Sequence, residues 1–178
     1  MTPIELYKSD FYRISGTRLS YVSFLKKIGN VTSWFCLWFR LCTSSNPLIA
    51  KFANFMRWRM VRRHHLQIPR NTRIGPGFFI AHAMCVVMHP NTVIGKNCTI
   101  HQFLTIGGRN GKAPIIGDNV FIGASVTLLG DIHIGNNVTI GAGAVVVSDI
   151  PDNATAVGNP AKVVSTDNPG KFQQNLWV

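Results

Sequence analysis

The sequence predicts a mainly β chain wound as a parallel β-helix behind a short α-helical N-terminal segment, on three observations. Between Ile116 and Ile150 the chain divides into six-residue units, each opened by an aliphatic residue: Ile116, Ile122, Leu128, Ile134, Ile140 and Val146. The fifth place of every unit is apolar as well (Val120, Val126, Ile132, Val138, Ala144, Ile150), and Gly fills the second place in four of the six. Finally, six matches neither the 3.6 spacing of a helix nor the two-residue alternation of an ordinary strand. It suits a chain that turns a corner every six residues and closes a triangle in about eighteen, each coil stacking about 4.8 Å above the last.

Residues 1–66 form the first expected unit. Tyr21, Phe24, Leu25 and Ile28 keep helical spacing, with Lys26 and Lys27 on the other side. The run Trp34–Cys42 follows and is broken by Ser-Ser-Asn-Pro, a loop signal. Next come Ile49, Phe52, Ala53, Phe55, Met56 and Met60, interleaved with Lys51, Arg57, Arg59, Arg62 and Arg63. The first reading is that these faces pack on each other, on the base of the β-helix or on a partner subunit. The second is a helix lying in a membrane interface, where aromatic and basic residues mix.

Charge supports that division. The chain carries 18 Lys and Arg against 7 Asp and Glu, a net +11. Eleven of those cations fall in residues 1–66, opposed only by Glu5 and Asp10. No nucleic-acid-binding module accompanies them, so an anionic membrane surface or an acidic glycan is the expected kind of partner rather than nucleic acid. No apolar run reaches the eighteen residues a spanning helix needs, and the first residues lack the apolar core of a signal peptide. The expected location is therefore cytoplasmic, with the inner face of the membrane as a peripheral site. Cys36, Cys42, Cys85 and Cys98 show no metal spacing and read as free thiols; no metal site is expected.

The β-helix is expected over 67–164. Its units begin near Ile68 and run through Ile74 and Ile80, then Met88, Ile94, Ile100 and Ile106. Eight residues separate Ile80 from Met88, so two bulge outward between Ala81 and Val87. Ten separate Ile106 from Ile116, so 107–114 (GGRNGKAP) leaves the coil as a loop. Solenoids accept insertions only where these face outward, and such insertions commonly build the binding face. Pro151–Val164 reads as turns and a closing strand that cover the last sheet edge, and 165–178 as a tail.

Aligning the coils stacks Ile80, Ile100, Ile122 and Ile140, and two places on His82, Gln102, Ala124 and Ala142 form a column. A histidine at the foot of a smooth groove about 14 Å long suits a thin extended ligand such as a pantetheine arm. His101 and His89 lie near enough to be substrate-binding candidates with Gln102; His64, His65 and His133 read as surface. Lys112 and Lys162 are candidates for the phosphates of such a ligand.

From Leu66 to Val164 the chain resembles the hexapeptide-repeat acyltransferases, in particular their serine acetyltransferase branch. FIAHAMCVVMHPNTVIG, TIHQFLTIGGRNGKAPIIGDNVFIGA and TIGAGAVVVSDIPDNATAVGNPAKVV carry the resemblance. YKSDFYRISG and WFRL resemble the helical lead-in of relatives from polysaccharide biosynthesis, colanic-acid-type enzymes among them. The resemblance implies a left-handed β-helix, a homotrimer with sites between subunits (with a dimer of trimers as a larger form) and acetyl-CoA as donor. It puts His82 on the catalytic histidine, Gly108 and Arg109 on the loop that meets the donor, and Ala124 and Ala142 on its pantetheine contacts. Three departures accompany it. Ala81 stands where the serine enzymes carry an aspartate, the loop lacks their second histidine, and Gln67 replaces the aspartate that orients the imidazole. These departures lead to the expectation of O-acetylation of a sugar hydroxyl on a glycan or lipid-linked saccharide, with serine O-acetylation in cysteine biosynthesis as the alternative.

Overall fold

Three parallel sheets account for the period of six. The computed structural model describes residues 1–27, 29–167 and 172–178. One face of the prism stacks β1 (Leu66–Gln67), β4 (Val86–Met88), β7 (Thr105–Gly107), β10 (Thr127–Leu129) and β13 (Val145–Val146). The next stacks β2 (Arg73–Ile74), β5 (Val93–Ile94), β8 (Ile115–Ile116) and β11 (His133–Ile134). The third stacks β3 (Phe79–Ile80), β6 (Thr99–Ile100), β9 (Phe121–Ile122), β12 (Thr139–Ile140) and β14 (Thr155–Val157), and β15 (Lys162–Ser165) closes it antiparallel. The chain is thus mainly β, a parallel solenoid of about five turns behind a short helical segment. Unit-opening residues such as Ile80, Ile100, Ile122 and Ile140 point inward and are fully buried.

Corners need left-handed backbone, which Asn adopts at little cost. Asn97, Asn119, Asn137 and Asn153 hold positive φ at one corner of successive coils. Their amides form a ladder, each donating to the next at 3.3, 2.9 and 2.9 Å.

The helical segment comprises α1 (Pro3–Ser15), α2 (Tyr21–Lys26), α3 (Val31–Leu41) and α4 (Pro47–His64); Ile28, read above as part of a helical face, lies outside the described residues. Helix α1 begins in a capping box, Thr2 with Glu5, with Pro3 in its first turn. Helices α1 and α3 close the open end of the first coil, whose backbone groups have no strand below them. Ser9 Oγ accepts from Gly77 N–H at 2.8 Å and Asp10 Oδ1 from Phe78 N–H at 2.8 Å. Arg40 donates to the Ile74 and Gly75 carbonyls, both at 2.6 Å, and Thr32 to the Ile80 carbonyl at 2.7 Å. Asp10 and Arg40 pair bidentately at 2.8 and 3.0 Å, at 0% and 4% exposure. Packing on the base of the β-helix is therefore the arrangement for α1 and α3. By contrast, α4 buries only Ala53 and α2 buries nothing.

The final residues come back across the third face. Trp177 exchanges two hydrogen bonds with Asn97, at 2.9 and 3.0 Å, and packs edge-on against Tyr12. Arg13, buried beneath, donates to Thr99 Oγ1 at 2.6 Å, to Gln173 and to the Gln174 carbonyl.

Candidate active site

Strand register decides what faces what. Ile80, Ile100, Ile122 and Ile140 are direct partners in adjacent strands. Two residues on, His82, Gln102, Ala124 and Ala142 follow in the same stacking order. Hydrogen bonds from Ser125 N–H to the Gln102 carbonyl (3.0 Å) and from Gly143 N–H to the Ala124 carbonyl (2.8 Å) hold the upper steps together. His82 sits where the first coil turns, with φ +52°, and its side chain is exposed. The left-handed conformation costs a side chain other than Gly or Asn some strain, which is common at functional positions.

His101, one coil up and half-buried, has its ring centroid 6.3 Å from that of His82 and 5.0 Å from that of Phe121. Burial, and then the neighbouring His82, lower its pKa below the ordinary histidine value. Phe121 in turn meets Phe172 at 5.2 Å. The rings of His101, Phe121 and Phe172, with Ala81, Thr99, Arg13 and Asn175, line a cavity of about 340 Å³.

Above the histidines the groove floor is bare. A Cβ on Gly123 would lie 2.6 Å from the Ala142 backbone nitrogen, and one on Gly141 2.8 Å from Val157. Only the methyls of half-buried Ala124 and exposed Ala142 project, leaving room for a narrow chain against the backbone. Lys162 is exposed at the far end, in register with Val157, which follows Gly141 on the next strand.

The loop is shorter than 107–114. Gly107 ends β7, Ala113 and Pro114 are buried, and only 108–112 projects, as a hairpin closed by reciprocal Arg109–Lys112 backbone bonds of 2.8 and 3.0 Å. Asn110 and Gly111 both have positive φ at its tip, as a primed two-residue turn requires. His89 supports the hairpin's root, since a Cβ on Gly108 would lie 2.9 Å from its ring; its Nδ1 accepts from Asn91 N–H at 3.1 Å. Lys112 pairs with Asp131 at 2.6 Å, while Arg109 is exposed beside a cavity of about 520 Å³ shared with Leu129, Gly130 and Val147.

The structure thus gathers His82, His101, Gln102, Ala124 and Ala142 along one corner and leaves His89 with the hairpin. Gln67 is exposed on β1 in register with Val87, and no hydrogen bond joins it to His82 among the described residues. Arg13, Phe121 and Phe172 join the site without any warning from local spacing, because they reach it from other coils and from the two chain ends.

Residues 113–148 match the bacterial transferase hexapeptide family (six repeats). A probable serine acetyltransferase of Oryza sativa is 45% identical over 107 residues, 55% of this chain and 35% of the relative. A serine acetyltransferase of Staphylococcus aureus is 42% identical over 106 residues, 57% of this chain and 50% of the relative. The matched stretch therefore spans half or less of those curated relatives. Among solved structures, the serine acetyltransferase of Neisseria gonorrhoeae superposes with a TM-score of 0.73 at 31% identity, over 92% of this chain and 65% of that one. The soybean serine acetyltransferase apoenzyme gives a TM-score of 0.71 at 31% identity, over 92% of this chain and 69% of that one.

These likenesses overturn the sugar acceptor and the polysaccharide placement expected above. Ala81, Gln67 and the hairpin are a few positions on separate parts of the coils, whereas the likeness to a solved serine acetyltransferase extends over 92% of this chain. The chain belongs to the hexapeptide-repeat transferases, and serine acetyltransferases are its homologues.

Proposed function

We propose that this chain transfers an acetyl group from acetyl-CoA to the hydroxyl of serine. The observation that carries the reading is the column: an exposed imidazole at the foot of a narrow strip floored by Gly and Ala. Serine acetyltransferases have been solved in complex with CoA and with serine, which supports both substrates.

His82 acts as general base. An alcohol is a poor nucleophile at neutral pH, and a neutral imidazole takes its proton as the oxygen attacks the thioester carbonyl. The carbon–sulfur bond then breaks, and the departing thiolate takes the proton back from the imidazolium, leaving O-acetylserine and CoA. Backbone N–H groups at the His82 bulge, or at the Gly107–Gly108 turn of a neighbouring copy, face the carbonyl oxygen as negative charge develops, usually the largest single contribution. Ala124 and Ala142 leave room for the pantetheine arm, Gly108 and Arg109, at the corner between the first and second faces, meet the donor from the hairpin of a neighbouring copy, and Lys162 receives its phosphates. His101 and Gln102 line the acceptor side. With Gln67 turned to solvent, a backbone carbonyl or a neighbouring subunit fixes the second nitrogen of His82.

The active assembly is a homotrimer. Val87, Leu129 and Val147 are 42%, 41% and 53% exposed along the first face, an apolar strip suited to a neighbouring copy.

The test is thiol release by the purified chain with acetyl-CoA and L-serine, read with a thiol reagent, beside the His82→Ala variant. Serine-dependent release by the parent and its loss in the variant, with folding intact, supports the reading. Release that ignores serine overturns the acceptor, and full turnover by the variant overturns the base.

A further inference from the structure

Helices α2, α3 and α4 carry a row of rings across the outside of the helical segment. Phe24 meets Trp34 at 5.3 Å, Trp34 stacks on Trp38 at 5.8 Å, and Trp38 meets Phe52 at 5.5 Å. One turn on, Phe55 stacks on Trp58 at 6.0 Å. Burial inside the chain does not explain the row: Phe52, Phe55 and Trp58 are 56%, 51% and 48% exposed, Leu48 is 76% and Tyr21 79%. Along α4, Leu48, Phe52, Phe55, Arg59 and Arg62 recur at helical spacing and so share one outward stripe, apolar in its first half and basic in its second.

The charge around this row has one sign. Helix α4 contains Lys51, Arg57, Arg59, Arg62 and Arg63 and no acid, and Lys26 and Lys27 stand at the end of α2. The two acids of residues 1–66 are both engaged, Glu5 in the cap of α1 and Asp10 in its buried pair with Arg40. Apart from Arg40 and Lys112, no cation among the described residues forms an ion pair. Arg59 and Arg62 lie over the Phe55 and Trp58 rings at 6.0 and 4.9 Å, and so stay beside the apolar stripe.

We infer that this face docks on an anionic lipid bilayer. The eighteen residues of α4, about 27 Å long, lie flat. Leu48, Phe52, Phe55 and Trp58 enter the acyl boundary while Arg59, Arg62 and Arg63 meet lipid phosphates. Among the described residues no helix is long and apolar enough to cross a membrane, and the contact inferred is a peripheral one. Two alternative occupants fit this face less well. A second copy set on this face by a two-fold axis would join two surfaces that both carry cations and offer no free acid to pair with them. A nucleic acid would satisfy the cations but leave Leu48, Tyr21 and Phe52 facing water. The contact is independent of the acetyl transfer proposed above, since none of these residues lines the His82 groove.

The experiment is co-sedimentation of the full chain with vesicles of phosphatidylcholine alone and of phosphatidylcholine mixed with phosphatidylglycerol. Two variants accompany it, Arg59→Glu/Arg62→Glu and Phe52→Ser/Phe55→Ser. The expected result is binding to the anionic vesicles only, weakened roughly fivefold for each cation neutralised and further by reversal, and lost when the aromatic pair is removed. All positions are exposed, so the melting temperature of each variant, and its thiol release without vesicles, should match the parent. Failure to bind anionic vesicles, equal binding to neutral ones or indifference to both variants overturns the inference. So does preferential binding of duplex DNA, or a concentration-dependent doubling of the assembly abolished by Phe52→Ser/Phe55→Ser.

Discussion

The imidazoles of His82 and His101 stand 6.3 Å apart on successive coils, one exposed at a left-handed turn and the other half-buried against Phe121. That asymmetry divides their work. In the proposed reaction the exposed ring meets a hydroxyl and a thioester together, whereas the half-buried ring is a wall of the cavity proposed for the acceptor.

His82→Ala should lower kcat by about 10² to 10⁴, the usual contribution of a general base, with little change in KM for acetyl-CoA. His101→Leu should act mainly through KM for serine, because it alters a wall and leaves the base in place. Steady-state kinetics with each substrate varied in turn checks both, and the opposite pattern would exchange the two roles.

Much of this site could be read from spacing, because the solenoid turns sequence distance into height. A period of six fixes which side chains stack, so the His82, Gln102, Ala124, Ala142 column followed from counting alone. The breaks at Ala81–Val87 and after Ile106 likewise marked where the outline departs from a prism. Two local signals went unused. Thr2-Pro-Ile-Glu5 is a capping box that announces α1, and Asn110-Gly111 is the tip of a two-residue hairpin rather than of an open loop. What spacing does not carry is the return of the chain ends: Arg13 and Gln173 meet across 160 residues of sequence. The acceptor is not legible in the sequence for a related reason. Ala81 and Gln67 are single exchanges, and a site of several walls is not fixed by one or two of them.

The bare groove gives a second prediction. Ala142 is exposed, and its neighbour Gly143 has open space about it, so Ala142→Phe should fold normally while its ring covers the strip proposed for the pantetheine arm. KM for acetyl-CoA should rise about tenfold or more, equivalent to about 1.4 kcal/mol, with kcat at saturation largely kept. CoA affinity by calorimetry provides the same reading without turnover, and unchanged affinity would move the donor elsewhere.

The Asp10–Arg40 pair predicts a stability effect far from the groove. Arg40 is 4% exposed and Asp10 fully buried, so Asp10→Ala leaves a guanidinium in the interior without its counter-charge and the Phe78 N–H without an acceptor. Breaking a buried pair in this way costs about 3–5 kcal/mol, readable as a lowered urea midpoint. Replacing both residues by Leu and Met should not restore the loss, as it can for other buried pairs. Arg40 also holds the Ile74 and Gly75 carbonyls, and apolar side chains would leave those edge groups unpaired.

The lowered pKa of His101 sets the sign of a pH effect on folding. In the native chain burial and His82 disfavour its protonation, while in the unfolded chain it titrates near the ordinary value of about 6.5. Below that value the unfolded state binds a proton that the folded state resists, so stability falls as pH drops, until the folded group titrates as well. Above about pH 7 neither state is protonated and His101 adds no pH dependence. His101→Leu should therefore flatten the acid side of a plot of melting temperature against pH, from about 6.5 downward, and leave its alkaline side unchanged. Because His101 is only half-buried, solvent screening keeps the effect small. A His101→Leu profile parallel to that of the parent through this window would show that the ring is free to protonate where it stands.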